Sequence, residues 1–142
     1  MNREILFRGK RKSDGEWIFG NLLRTDDDGI YIIQNHVPHH FLKNYEVDQE
    51  TVCQYTGLTD NNGRKIFEND VVAYMDTYST DNGYAESDCV GKVLWCEEEL
   101  YFYVTERLSA ESWEVLEDCY VIGNIFDNSE LLDKESELDG KS

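Results

Sequence analysis

The sequence predicts a mainly β chain built as two small β units, and three observations carry that expectation. Short apolar runs recur between clusters of Gly, Asp and Asn. Nine Tyr, six Phe and three Trp supply flat rings that pack well across a pleated surface. A single proline and a 40% share of hydrophobic residues leave ample material for a core in 142 residues, enough for one domain or two small modules.

In chain order, Glu4 to Gly9 and Trp17 to Leu23 read as two strands of a hairpin. Between them, Lys10-Arg11-Lys12-Ser13-Asp14-Gly15 ends in an Asp-Gly pair that supplies the positive φ angles of a tight reversal. Thr25-Asp26-Asp27-Asp28-Gly29 is a second turn of that kind, and the β-branched run Ile30-Tyr31-Ile32-Ile33 is a third strand. Glu46 to Tyr55 is read as one further strand, with the extended run ending at Gly57. The turn Asp60 to Gly63 then joins the two units, and Asp70-Val71-Val72 launches a new strand.

Past that joint, Ile66-Phe67, Val71 to Met75, Val90 to Cys96, Leu100 to Thr105 and Cys119 to Ile125 make five short strands. Tyr78 to Asp88 reads as a long exposed loop with Asp81-Asn82-Gly83 at its tip, because Ser, Thr, Asp, Asn and Gly crowd it. Glu97-Glu98-Glu99 places three adjacent carboxylates at a solvated hairpin end. Residues 106–116 fit a loop, a short helix or an edge strand equally well. Asn128 is placed as the N-cap of a helical turn reaching Leu132, with a loose polar tail from Asp133 to Ser142. The expected organisation is a β hairpin and meander unit over 1–58, a small SH3-like β-barrel over 59–126, and a short helix and acidic tail over 127–142. A two-sheet sandwich over the whole chain is the rival arrangement.

Charge narrows the partners. The net charge is −17, and it is unevenly spread. Residues 1–24 hold six basic and three acidic side chains, and residues 25–142 hold seven basic and 27 acidic. An acidic body repels phosphate, so direct nucleic-acid binding is disfavoured. No apolar run reaches the length that crosses a bilayer, so no membrane contact is expected. The polar Met1-Asn2-Arg3-Glu4 opening has no leader pattern, which makes the cytosol the expected compartment. Cys53, Cys89, Cys96 and Cys119 lack any Cys-x-x-Cys spacing and lie among apolar neighbours, as buried reduced thiols do.

His36, His39 and His40, with Pro38 between them, are the one cluster of metal-ligand type. In an extended segment His39 and His40 point to opposite sides, and no histidine elsewhere completes a set. No metal, cofactor or catalytic residue is therefore expected, and a small metal-dependent hydrolase on this loop is the remote alternative. The chain has no Gly-rich phosphate loop and no nucleophile elbow, so it is not expected to be an enzyme. Asp70 and Asn124 stand out at strand ends beside turns, and both are read as caps for backbone N–H groups.

The run Thr51-Val52-Cys53-Gln54-Tyr55-Thr56-Gly57-Leu58, with Asp60, Gly63, Ile66 and Asp70-Val71-Val72, resembles the signature of the YopX-type family of phage and prophage proteins. Arg3 to Phe7, Asp14-Gly15-Glu16-Trp17 and Val121-Ile122-Gly123-Asn124-Ile125-Phe126 are similar to that family too, so the resemblance covers nearly the whole chain. Cys53 and Asn69 depart from it, standing where glycine is expected. The resemblance implies a mostly β protein whose second half is similar to an SH3-type barrel, and it supplies no catalytic residues. The leading functional expectation is a non-enzymatic protein-interaction or self-assembling module with an unidentified protein partner, possible as a homo-oligomer, using aromatics such as Tyr78 and Trp113. An acidic decoy that imitates nucleic acid toward a basic host protein is the alternative.

Overall fold

A computed structural model describes residues 4–33, 42, 44–98, 100–105 and 114–132, without the side chain of Tyr78. The chain is mainly β, with strands β1 (Phe7–Lys10), β2 (Trp17–Arg24), β3 (Ile30–Ile33), β4 (Cys53–Thr59), β5 (Lys65–Phe67), β6 (Asp70–Thr80), β7 (Gly83–Cys96), β8 (Tyr101–Val104) and β9 (Tyr120–Asn124). Two antiparallel sheets carry them, in the orders β3-β2-β1-β4-β5 and β8-β7-β6-β9. By its internal contacts the chain divides into two compact units, Met1–Gly57 and Leu58–Ser142.

In the first unit the β1–β2 hairpin is closed at Asp14-Gly15, as expected, with Gly15 at φ +74. The Asp14 carboxylate accepts the Glu16 N–H at 3.0 Å and pairs with Arg11. In the next turn the positive φ falls on Asp28, at +67, and not on Gly29. Gly29 is needed for room instead, since a Cβ there would lie 2.6 Å from the Tyr31 hydroxyl. Ile30, Ile32 and Val47 form the unit's buried centre, lined by Phe7, Ile18, Leu22 and Val52.

The strand expected over Glu46 to Tyr55 is broken. Glu46 and Val47 make isolated bridges to Tyr31 and Arg11, and a 3-10 turn occupies Gln49–Thr51 before β4 begins at Cys53. Asp48 causes the break, because its side chain accepts the Glu50 N–H at 3.1 Å and offers the backbone an alternative to the ladder. Thr51 reinforces it, accepting the Lys10 N–H and donating to the Asp48 carbonyl. β4 then runs beyond Gly57, which takes φ +92, to Thr59.

The second unit has the five strands expected, but its four-stranded sheet is open. Among the described residues β8 and β9 stand at its two edges and pair with β7 and β6, so the barrel expected over 59–126 does not close. Two of its strands are also longer than expected. β6 and β7 span 11 and 14 residues, and their ladder continues from Val71↔Lys92 out to Thr80↔Gly83. The span read as a long loop, Tyr78 to Asp88, is therefore the outer part of a two-stranded ribbon, with the expected tip at Asp81-Asn82. The inner core holds Ile66, Val72, Tyr74, Cys89, Val93, Phe102, Val104, Val115, Leu116 and Cys119. Residues 130–132 make the short helical turn expected after Asn128, but the Asn128 side chain accepts the Asn124 N–H at 3.2 Å instead of capping that turn. Residues 106–113 and the tail, 133–142, lie outside the described residues.

Candidate functional site

Two places in the second unit concentrate polar chemistry: the turns that join its strands and the β6–β7 ribbon. At the first, Asp60 is 5% exposed. Its Oδ1 accepts the N–H groups of Asn62 and Arg64 at 2.9 and 2.8 Å, and its Oδ2 accepts the Val121 N–H at 2.9 Å. Asn61 donates its N–H to the Cys119 carbonyl and its side-chain amide to Asp118. Arg64 donates to the Val121 carbonyl at 3.2 Å. One carboxylate thus folds its own turn and fastens it to the start of β9. Burial works against its charge, yet the N–H groups of Val121, Arg64 and Asn62, with the Arg64 charge, prevail and hold the carboxyl below its usual range.

Asp70 is buried and accepts the Phe67 N–H at 2.8 Å across the β5–β6 turn. Asn69, the residue that stands where glycine was expected, adopts φ +69. It donates its N–H to the Val93 carbonyl and receives the Ile125 N–H. The β6–β9 register sets Asp70 directly opposite Asn124, whose Oδ1 accepts the N–H groups of Phe126 and Asp127. Both residues do what their positions beside turns predict: they cap backbone donors. Cys53, the other departure, is fully buried in β4 and donates to the Thr51 carbonyl at 3.2 Å.

Cys119 lies in the core near these carboxylates. Burial first, then the negative charges of Asp60, Asp118 and Asp70, push its thiol up to about 11. At neutral pH it stays protonated, and a thiol is a weak nucleophile. All four cysteines are free thiols; Cys53, Cys89 and Cys119 are buried, as their apolar neighbours predict, and Cys96 is only half-buried. Among the described residues no three His, Cys, Asp or Glu side chains are arranged to hold a metal ion. His36, His39, His40 and Trp113 lie outside the described residues, as does the Tyr78 side chain.

The ribbon holds what sequence reasoning missed. Asp70, Val72, Tyr74 and Asp76 are successive residues on one face of β6, and all four are buried. Asp76 is 2% exposed, and its Oδ2 has no hydrogen-bond partner among the described residues. The signal was a two-residue alternation running on into a stretch whose composition resembled a loop. The opposite face carries Met75, Thr77 and Ser79 from β6, set against Asp88, Glu86 and Tyr84 from β7. Tyr84 is 81% exposed and Met75 52%, while Glu86 and Asp88 are exposed between them. In the first unit, a polar groove of about 310 Å³ lies beside the second turn, lined by Arg24, Thr25, Asp28, Gly29, Ile30 and Gln49.

The model of the family described as YopX protein matches residues 6–133. The chain belongs to the YopX family. Among solved structures, this YopX chain is similar to the crystal structure of protein EF1440 from Enterococcus faecalis, at 24% identity and a TM-score of 0.55. That likeness covers 92% of this chain and 99% of the other, and at such identity it speaks for the fold alone. No curated protein matches the chain. No helix among the described residues is long and apolar enough to cross a membrane.

Proposed function

We propose that this YopX-family chain is a non-enzymatic protein-interaction module, acting in the phage or prophage setting that the family resemblance implies. The observation that carries the reading is how the polar groups divide. The buried carboxylates of Asp60 and Asp70 accept backbone N–H groups, and the Cys119 thiol is held protonated, so each serves the fold. Apart from Asp76 Oδ2, the chemistry not tied into the fold is on the surface, where Tyr84, Met75, Leu100 and Ile5 are more than half exposed. Exposed aromatic and apolar side chains of this kind recur at the centres of contacts between proteins.

Affinity capture with the intact chain from infected or lysogenic cells, at low and high salt, tests the reading. A partner that co-purifies in proportion and competes with added untagged chain supports it. Turnover of a small-molecule substrate by the purified chain, abolished by a point substitution, would replace it.

An acidic decoy is the second reading, favoured by the charge division: residues 58–142 hold six basic and 21 acidic side chains. It requires carboxylates in long rows that follow the phosphates of a strand. On the solvent face of the ribbon the β7 row is only two carboxylates long, Glu86 and Asp88, with Tyr84 before them and Val90 after, which is too short. Capture that is insensitive to salt would count against the decoy.

A further inference from the structure

We infer that the outward edge of β7 from Tyr84 to Asp88 is a docking edge for an extended, basic segment of a partner protein, which adds to the ribbon as a strand. This rests on the interaction reading above and names its surface and the chemistry of its partner.

The edge follows from the register. β9 pairs with β6 only as far as Ala73, and β8 pairs with β7 only from Val93. Between those limits the β6–β7 ladder projects for roughly 20 Å with no further strand beside it among the described residues. A ribbon of two strands leaves backbone N–H and C=O groups along both outer edges, and such edges recruit extended peptides.

The side chains distinguish the two edges. On the solvent face the β6 edge offers Met75, Thr77 and Ser79, with no charge. The β7 edge offers Tyr84, Glu86 and Asp88, and the nearest cation on that face of β7, Lys92, is about 13 Å along the strand from Asp88. No lysine or arginine occurs between Lys65 and Lys92. A strand laid along β7 places its alternate residues about 5 Å from these three side chains. Lysine or arginine at two alternate positions then meets Glu86 and Asp88, and a third can stack on the Tyr84 ring. A second copy of this chain is the wrong occupant, because pairing β7 with its own counterpart brings acidic side chains against acidic ones.

The test measures binding of a fluorescent twelve-residue peptide that alternates arginine with threonine to the intact chain, by anisotropy at low salt. The expected result is saturable binding, weakened about tenfold by Glu86→Gln with Asp88→Asn, both exposed and outside the core. Glu97→Gln with Glu98→Gln removes the same charge at the other end of β7 and is expected to leave binding unchanged. A chain carrying Glu86→Lys and Asp88→Lys is expected to prefer the peptide with glutamate in place of arginine. Equal weakening by both neutralised pairs, undiminished binding of a peptide with two central prolines, or no binding at all would overturn the inference. So would a dimer in light scattering that the Glu86 and Asp88 substitutions dissolve. If the neutralised chain captures a cellular partner as well as the native one, the docking edge fails while the interaction reading stands.

Discussion

Asp60 concentrates three backbone hydrogen bonds in one buried carboxylate. Asp60→Ala leaves the N–H groups of Asn62, Arg64 and Val121 without that acceptor, at an expected cost of about 2–4 kcal/mol, measured by urea unfolding. Its carboxyl is held below the usual range in the folded chain, so its stabilisation is present above the unfolded value, near 3.9, and is lost as pH falls through the lower folded value. The acid limb of the stability profile should therefore flatten in Asp60→Ala. Cys119 has the opposite sign. Its thiol is raised to about 11, so its contribution is whole below the unfolded value, near 8.5, and disappears as pH climbs toward 11. In native labelling with a maleimide, Cys96 should react first, and Cys53, Cys89 and Cys119 only as the chain opens. Asn69 tests backbone strain: at φ +69, Asn69→Ala should cost about 1 kcal/mol, whereas Asn69→Gly should be neutral or slightly stabilising.

At the scale of the element, β6 shows where sequence reading succeeds and where it stops. Val71 to Met75 was legible because branched and aromatic residues gather there. The next residues were not, because a ribbon with solvent on one face needs no apolar run, and its Thr, Ser and Asp composition matches that of a loop. Asp76 was hidden by the same ambiguity. A buried carboxylate oxygen with no partner among the described residues is costly, so Asp76→Asn is expected to stabilise the chain at neutral pH by about 1–2 kcal/mol, read from the urea midpoint at unchanged slope. A loss of stability there would mean that the carboxylate itself is needed. Gly91 marks the other limit of legibility. A Cβ on it would lie 2.2 Å from the Thr105 carbonyl oxygen, a close approach that no local pattern announces.

Across the whole molecule, charge acts on stability and on contact between copies. A net −17 on 142 residues makes like charges repel within and between copies. Raising salt from about 20 mM to about 500 mM shortens the screening length severalfold, and should raise the thermal midpoint by a few degrees. A lower midpoint at high salt would show that attractive pairs outweigh the repulsion.

Local chemistry alone determined a mainly β chain, the tight turns at Gly15 and Asp81-Asn82, and the caps at Asp70 and Asn124. Each depends on a few neighbouring residues whose backbone preferences are strong. The tertiary structure decided that the second sheet stays open, that Asp60 reaches across to β9, and that Asp76 is buried while Tyr84 is not. Those outcomes turn on how far a ladder extends before its neighbouring strands part from it. That is a balance of long-range pairing and burial, which no window of adjacent residues contains.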